Sequence, residues 1–467
     1  MRTETLLGMF VVVAIFAFGT GTTTAQDVQD QPTSNADLLS EMGSQFNALQ
    51  PRVSQLPITP VGYWGGCEST EAGCGCDTGN CCDCGDGCDC GDACGKRGRC
   101  FVWGKDTWLS VGAGLRTSYS AVGDAAPNGG SSSNNFNIDN ARLYFNGQGH
   151  KYLKFEFNTD IDNAQGFQDP TFPVAGSYDE AGNIRILDAI AKFEVHDLFN
   201  VWVGRMLPPS DRSNLSGPYY LNAWDFPFVQ FGYPNIFQGR DDGVSIWGQW
   251  GGGVLKYQIG AFEGVNGAIP GSTETLPIPG ANPSDDMMFT ARVTLNLLDP
   301  EPGYYNQSTY YGDKDILAVG ISVMDQNNAN VDGAAITDFT GWCIDTLFER
   351  PLSNGGVVTV EGAYYNFDDH GATNSVRDGD SYFALASYLF PGTMSIGPTS
   401  GRLQPFTRYQ RFDRNNFFAT SLERQVDVGV NYIMYGHNAR LAAFWTQQEL
   451  AGGVQTNLYR SGVQFQF

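Results

Sequence analysis

The sequence predicts an all-β fold: a transmembrane antiparallel β-barrel preceded by a signal peptide and a Cys-rich extension. Three observations predict it. Apolar and polar residues alternate with period two in segment after segment from Trp108 to the end, which is the signature of strands with one greasy face and one polar face. The only long apolar run is N-terminal and shorter than the roughly 20 residues a spanning helix needs. The chain ends on an aromatic inside an alternating stretch, "YRSGVQFQF", although termini fray unless something ties them down.

The elements follow in order. Met1-Arg2, the apolar run Leu6–Phe18 and the small residues up to Ala25 make a charged n-region, an h-region and a cleavage site, so 1–25 reads as a signal peptide; the alternative is a single N-terminal anchor. Residues 26–66 form a polar linker. Within it Leu39, Met42, Phe46 and Leu49 share one helix face, which fits either a short linker helix or a short association helix.

Residues 67–100 hold Cys67, Cys74, Cys76, Cys81, Cys82, Cys84, Cys88, Cys90, Cys94 and Cys100. Apolar residues are nearly absent, so order there must come from cross-links or metal. The C-x-C and C-C-x-C spacings are not the paired knuckles of a zinc ribbon. They suit soft-metal clusters, whereas an exported chain in an oxidising compartment favours disulfides. Both readings stay open. The interleaved Asp77, Asp83, Asp86, Asp89 and Asp92 are read as solubilising on either, with weak binding of hard cations as the alternative.

Residues 101–467 are the barrel. Leu109, Val111, Ala113, Leu115 and Tyr119 alternate with Ser110, Gly112, Arg116 and Ser118. Ala141, Leu143 and Phe145 oppose Arg142, Tyr144 and Asn146; Leu153, Phe155 and Phe157 oppose Lys154, Glu156 and Asn158. Leu187, Ala189, Ala191, Phe193 and Val195 oppose Asp188, Lys192 and Glu194; Phe289 to Leu297 oppose Thr290, Arg292, Thr294 and Asn296. A soluble sandwich or propeller gives the same alternation with the apolar face buried; a membrane barrel turns it outward and lines a lumen with the polar face. The terminal strand favours the barrel, because closing the ring needs the last strand ordered to its end. A formal charge of −23 makes nucleic acid and anionic headgroups poor partners, and no nucleic acid is expected.

The ending resembles the terminal strand of bacterial outer-membrane barrels. "IDNARLYFNGQGHKYLKFEFNTDID" (138–162), "VWVGRMLPPSDRSNLS" (201–216), "GRDDGVSIWGQW" (239–250), "YGDKDILAVGIS" (311–322), "SYFALASYLFP" (381–391), "RLQPFTRYQRFD" (402–413) and "VGVNYIMYGHNARL" (428–441) together resemble the phosphate-selective porins O and P. The resemblance implies about 16 strands, a homotrimer in the outer membrane of a Gram-negative-type bacterium, membrane lipid around it, and a long loop folded into the lumen. That loop is 213–239, aromatic-rich and without alternation. Its constriction candidates, with flanking residues, are Arg212, Tyr219, Tyr220, Trp224, Asp225 and Arg240; the alternative is an outer loop packed on the rim. Where the family commonly carries Lys before a Pro-Pro pair, this chain has Leu207.

Alternation nominates Arg116, Arg142, Lys154, Glu156, Asp188, Lys192 and Arg292 as pore-lining. The four histidines, His150, His196, His370 and His437, belong to no hydrolase or metalloprotease motif, so no enzyme and no cofactor is expected. The expected function is passive diffusion of small hydrophilic solutes or ions, anions such as phosphate among them. The alternative is a structural envelope protein, anchored by the barrel and disulfide-linked to envelope proteins through 67–100.

Overall fold

The computed structural model describes residues 99–104, 106–162, 183–232, 239–265, 282–332, 335–371, 378–415, 422–449 and 453–467. The signal peptide, linker helix and nine of the candidate cysteines lie outside the described residues, and Cys100 is described only as backbone.

Among the described residues there are eighteen strands. They are β1 (Arg99–Gly104), β2 (Thr107–Val122), β3 (Ser133–His150), β4 (Leu153–Asp162), β5 (Asn183–His196), β6 (Phe199–Met206), β7 (Asp241–Trp250), β8 (Leu255–Phe262) and β9 (Met288–Asn296). Then come β10 (Ile316–Asp332), β11 (Ala335–Pro351), β12 (Val357–Asp368), β13 (Gly379–Leu389), β14 (Thr393–Ile396), β15 (Thr399–Arg414), β16 (Leu422–Tyr435), β17 (Ala439–Glu449) and β18 (Gln455–Gln466). Neighbours pair antiparallel in chain order, and β18 returns to β2 in the register Leu458↔Val122 to Gln466↔Gly114. Phe467 completes the seam, donating to the Ala113 carbonyl at 2.9 Å and accepting from its amide at 3.0 Å. With β13 paired directly to β15, sixteen strands close the barrel. β14 is a short hairpin extension on β15, and β1 pairs only with the start of β2.

β1 was not expected as a strand. It occupies the edge of β2 just beyond β18, with Arg99 opposite Val111 and Phe467 bonded to Ala113. The described chain therefore enters the barrel at the end where it also finishes.

The faces follow the alternation. Phe155, Phe193, Phe289, Val293, Tyr459 and Phe465 are exposed, while Arg116, Arg142, Thr290, Arg292 and Gln464 between them are buried. In a soluble sheet the apolar set would be inside. Here it is outside, as lipid demands. Leu187 corrects the pattern: a bulge between Asn158 and Thr159 against Ile186 and Asp188 takes it out of register. Leu187 is fully buried and Ile186 takes the outward place, because one extra residue switches faces.

The two ends differ. At the Phe467 end the connections 151–152, 197–198, 251–254, 352–356 and 436–438 are tight, but 297–315 between β9 and β10 is long. At the other end lies the connection 207–240, between β6 and β7.

Candidate channel lumen

The connection after β6 turns inward at Leu207, earlier than the expected start at residue 213. It carries a one-turn helix, α1 (Arg212–Ser216), and a 3-10 turn at Phe228–Gly232. Asp211 caps α1, its side chain accepting from the Ser213 and Asn214 amides at 3.0 and 3.3 Å. Burial, reinforced by the neighbouring Asp345, pushes the Asp211 carboxyl up to about 6.

Two unlike walls hold this loop. On β11 and β12, acids accept from it: Asp345 from the Arg212 amide at 3.1 Å and Glu361 from the Ser213 hydroxyl at 3.1 Å. On β15, β17 and β18, arginines donate to it: Arg440 to the Leu221 carbonyl at 2.7 Å, Arg408 to the Asp225 carbonyl at 2.8 Å, and Arg460 to the Asp225 carboxylate at 2.7 Å. A loop without sheet partners must satisfy its backbone somewhere, and here the lumen wall does it.

Each constriction candidate has a definite place. Trp224 is buried with the Arg116 guanidinium 4.2 Å over its ring, and Arg116 also donates to the Trp224 carbonyl. Tyr219 is buried against Tyr144, with ring centroids 6.4 Å apart and the Arg142 guanidinium 5.7 Å away. Tyr220 rests on the His437 ring at 4.6 Å. Asp225 keeps 42% of its side chain exposed while Arg460 beneath it is buried. Arg240 pairs with Asp188 at 3.0 Å.

The lining candidates all face inward. Arg142 pairs with Asp160 at 2.7 Å, Lys192 with Glu156, Lys154 with Glu194 at 2.8 Å, and Arg292 with Asp345 through two bonds. They are nevertheless covered rather than bathed: Arg116 is 4% exposed, Arg292 2%, and Lys154, at 33%, is the most open of the seven. Lys192 lies 3.8 Å from the Trp202 ring centroid. Alternation gives the side of the sheet a residue takes. It carries no information on what packs over that side.

Further covering comes from 297–315, a segment that the sequence reading did not single out. Glu301 forms a bidentate pair with Arg212 at 2.6 and 2.8 Å, and both are almost fully buried. Burial raises the Glu301 carboxyl, but the Arg212 guanidinium outweighs it and holds the group down at about 2. Tyr304 stacks on Trp202 at 4.5 Å and donates to the Leu207 carbonyl at 2.9 Å. Lys256 donates to Asn306 at 2.6 Å, and Gln258 to the Tyr304 carbonyl at 2.6 Å. The available signal was the run of tyrosines 304, 305, 310 and 311 in a connection carrying Gly and Pro, an aromatic cluster of the same kind as that of the loop that was singled out.

No family model matches the chain, and no curated protein matches it. Among solved structures it is similar to the high-pH structure of OprB of Pseudomonas putida at 11% identity and a TM-score of 0.51, covering 77% of this chain and 94% of that one. It is similar to OmpF of Salmonella typhi, solved with daunomycin, at 13% and 0.50, covering 78% and 99%. An anion-selective porin of Comamonas acidovorans aligns at 13% and 0.49, covering 78% and 100%. At such identities the likeness is one of fold alone, that of a closed antiparallel β-barrel.

Proposed function

We propose that this protein is an outer-membrane channel of the porin type, through which small hydrophilic solutes or ions diffuse passively. The observation that carries this is the closed barrel with its apolar side outward and charged side inward, threaded by an inward-folded loop. Membrane lipid is the surrounding partner, and a homotrimer is the proposed assembly. Anions, phosphate among them, are the finer proposal, supported by the sequence resemblance and by the inward Arg116, Arg142 and Arg292. Purified protein in planar bilayers is expected to give stepwise conductance. In a salt gradient, the sign of the reversal potential decides anion against cation preference. Correctly folded protein that gives no steps would remove the channel reading.

The covering of the inward charges favours a second reading: a structural envelope protein anchored by the barrel and disulfide-linked to envelope proteins through Cys67–Cys100. It predicts higher-mass species on gels without reductant that collapse when reductant is added, and no free thiols in 67–100.

A further inference from the structure

Sixteen-stranded closure does not need the connection 297–315. The β9–β10 ladder runs on past the strand ends: the Leu297 amide donates to the Leu317 carbonyl and the Asp299 amide to the Asp315 carbonyl, both at 2.8 Å. The hairpin is therefore already closed at Asp299 and Asp315, where a two-residue turn would suffice. The chain inserts residues 300–314 instead. Connections of that length inside an ordered domain are usually functional.

The insert folds into the lumen rather than away from it. It meets the loop that enters from the opposite end and bonds to it repeatedly. Arg212 takes Glu301 and also donates to the Gln307 carbonyl at 2.8 Å. The Ser308 amide donates to the Tyr220 carbonyl at 3.2 Å, and the Ser308 hydroxyl lies 3.4 Å from that of Ser216. His437, in the β16–β17 turn at the Phe467 end, touches both: one ring nitrogen is 3.3 Å from the Tyr219 carbonyl and the other 3.0 Å from the Thr309 carbonyl. Glu301, Tyr304, Ser308 and Thr309 are at most 2% exposed, so the centre of the junction is buried. Tyr311 and Gly312 both take positive φ, 56° and 91°; this reversal returns the chain to β10, at some backbone cost for Tyr311.

We infer that residues 300–314 are a lumen plug: with the 207–232 loop they close the barrel at rest, and the Arg212–Glu301 pair is the contact that latches one insert to the other. This rests on the channel reading, and deepens it by making the resting channel closed rather than merely narrow.

The test is conductance of the full chain beside two variants. In the first, residues 300–314 are replaced by Asn-Gly. In the second, Glu301→Gln keeps the shape but takes the bidentate counter-charge from buried Arg212, leaving it only Asp345 at 4.0 Å. Folding of each is checked by the heat-dependent shift in gel mobility. The expected result is rare or small steps from the full chain, several-fold larger steps from the plug replacement, and more frequent openings from Glu301→Gln. Steps of equal size and frequency from the full chain and the plug replacement would overturn the plug and leave the channel reading standing. Should the replacement not fold, unchanged step size and open time in Glu301→Gln overturns the plug by itself. Silence from all folded proteins would overturn the channel reading, and the plug with it.

Discussion

Asp211 shows how far a single residue departs from its sequence description. In "PPSDRSN" nothing marks it out from any other loop carboxylate. In the fold it is buried, and one carboxylate oxygen accepts from Ser213, Asn214, Gln230 and Tyr365, while Asp345 stands nearby. With a carboxyl ordinarily near 3.8 held at about 6, the folded state keeps this proton more tightly than the unfolded chain does. The stability it contributes is present below pH 3.8, falls as pH rises from there to 6, and is flat above. Asp211→Asn keeps an acceptor oxygen for the same donors and removes the titration. Its melting temperature is expected to match or exceed the parent at pH 7, and to vary less between pH 4 and 6; a steeper dependence in that interval would contradict the assignment. Glu301 runs the other way. Its contribution is present above 4.5 and lost as pH falls toward 2.

At the scale of elements, the strands and the inserts obey different rules. A strand's faces are set by neighbours two residues apart, so they can be read along the chain. An insert's seat is carved by residues far away in sequence. Gly462 on β18 is such a seat: a Cβ there would stand 2.6 Å from the Trp224 ring. Gly114 on β2 does the same for Tyr219, at 2.7 Å. Gly462→Val is expected to expel Trp224, loosening the loop at a cost of about 1–3 kcal/mol typical of overpacking. Thermal unfolding monitored by tryptophan fluorescence measures this, and an unchanged melt would show that the seat is not needed.

For the whole molecule, closure is the central event. β18 must find β2 across more than 300 residues of intervening chain, a pairing with a large loop-closure cost. The final two hydrogen bonds of the seam belong to Phe467. Deleting Phe467 is expected to lower the yield of heat-modifiable, folded barrel, measured on unboiled gels. Equal yield would mean the seam is set by Leu458–Gln466 alone.

Legibility divides along the same line of distance. The alternating strands β2, β3, β4, β5, β9 and β18 and the side of the sheet taken by Arg116, Arg142, Lys154, Lys192 and Arg292 were legible, because alternation is a local consequence of backbone geometry; the full count of strands was not. The Leu187 bulge was not, since a register shift depends on the partner strand. β1 was not, because its three exposed residues, Phe101, Val102 and Trp103, show no alternation and are organised only by pairing with β2.

What the sequence determined by itself is a run of strands, each with one greasy and one polar face, and a last strand that must stay ordered to its end, since two-residue periodicity and an aromatic terminus are properties of the chain alone; that the greasy faces point outward was decided by the fold. What else only the tertiary structure decided is whether the charged inside is open. Arg212 and Glu301 are 89 residues apart, and no local rule brings them together. They meet because two connections from opposite ends fill one lumen, where a buried charge must find its opposite.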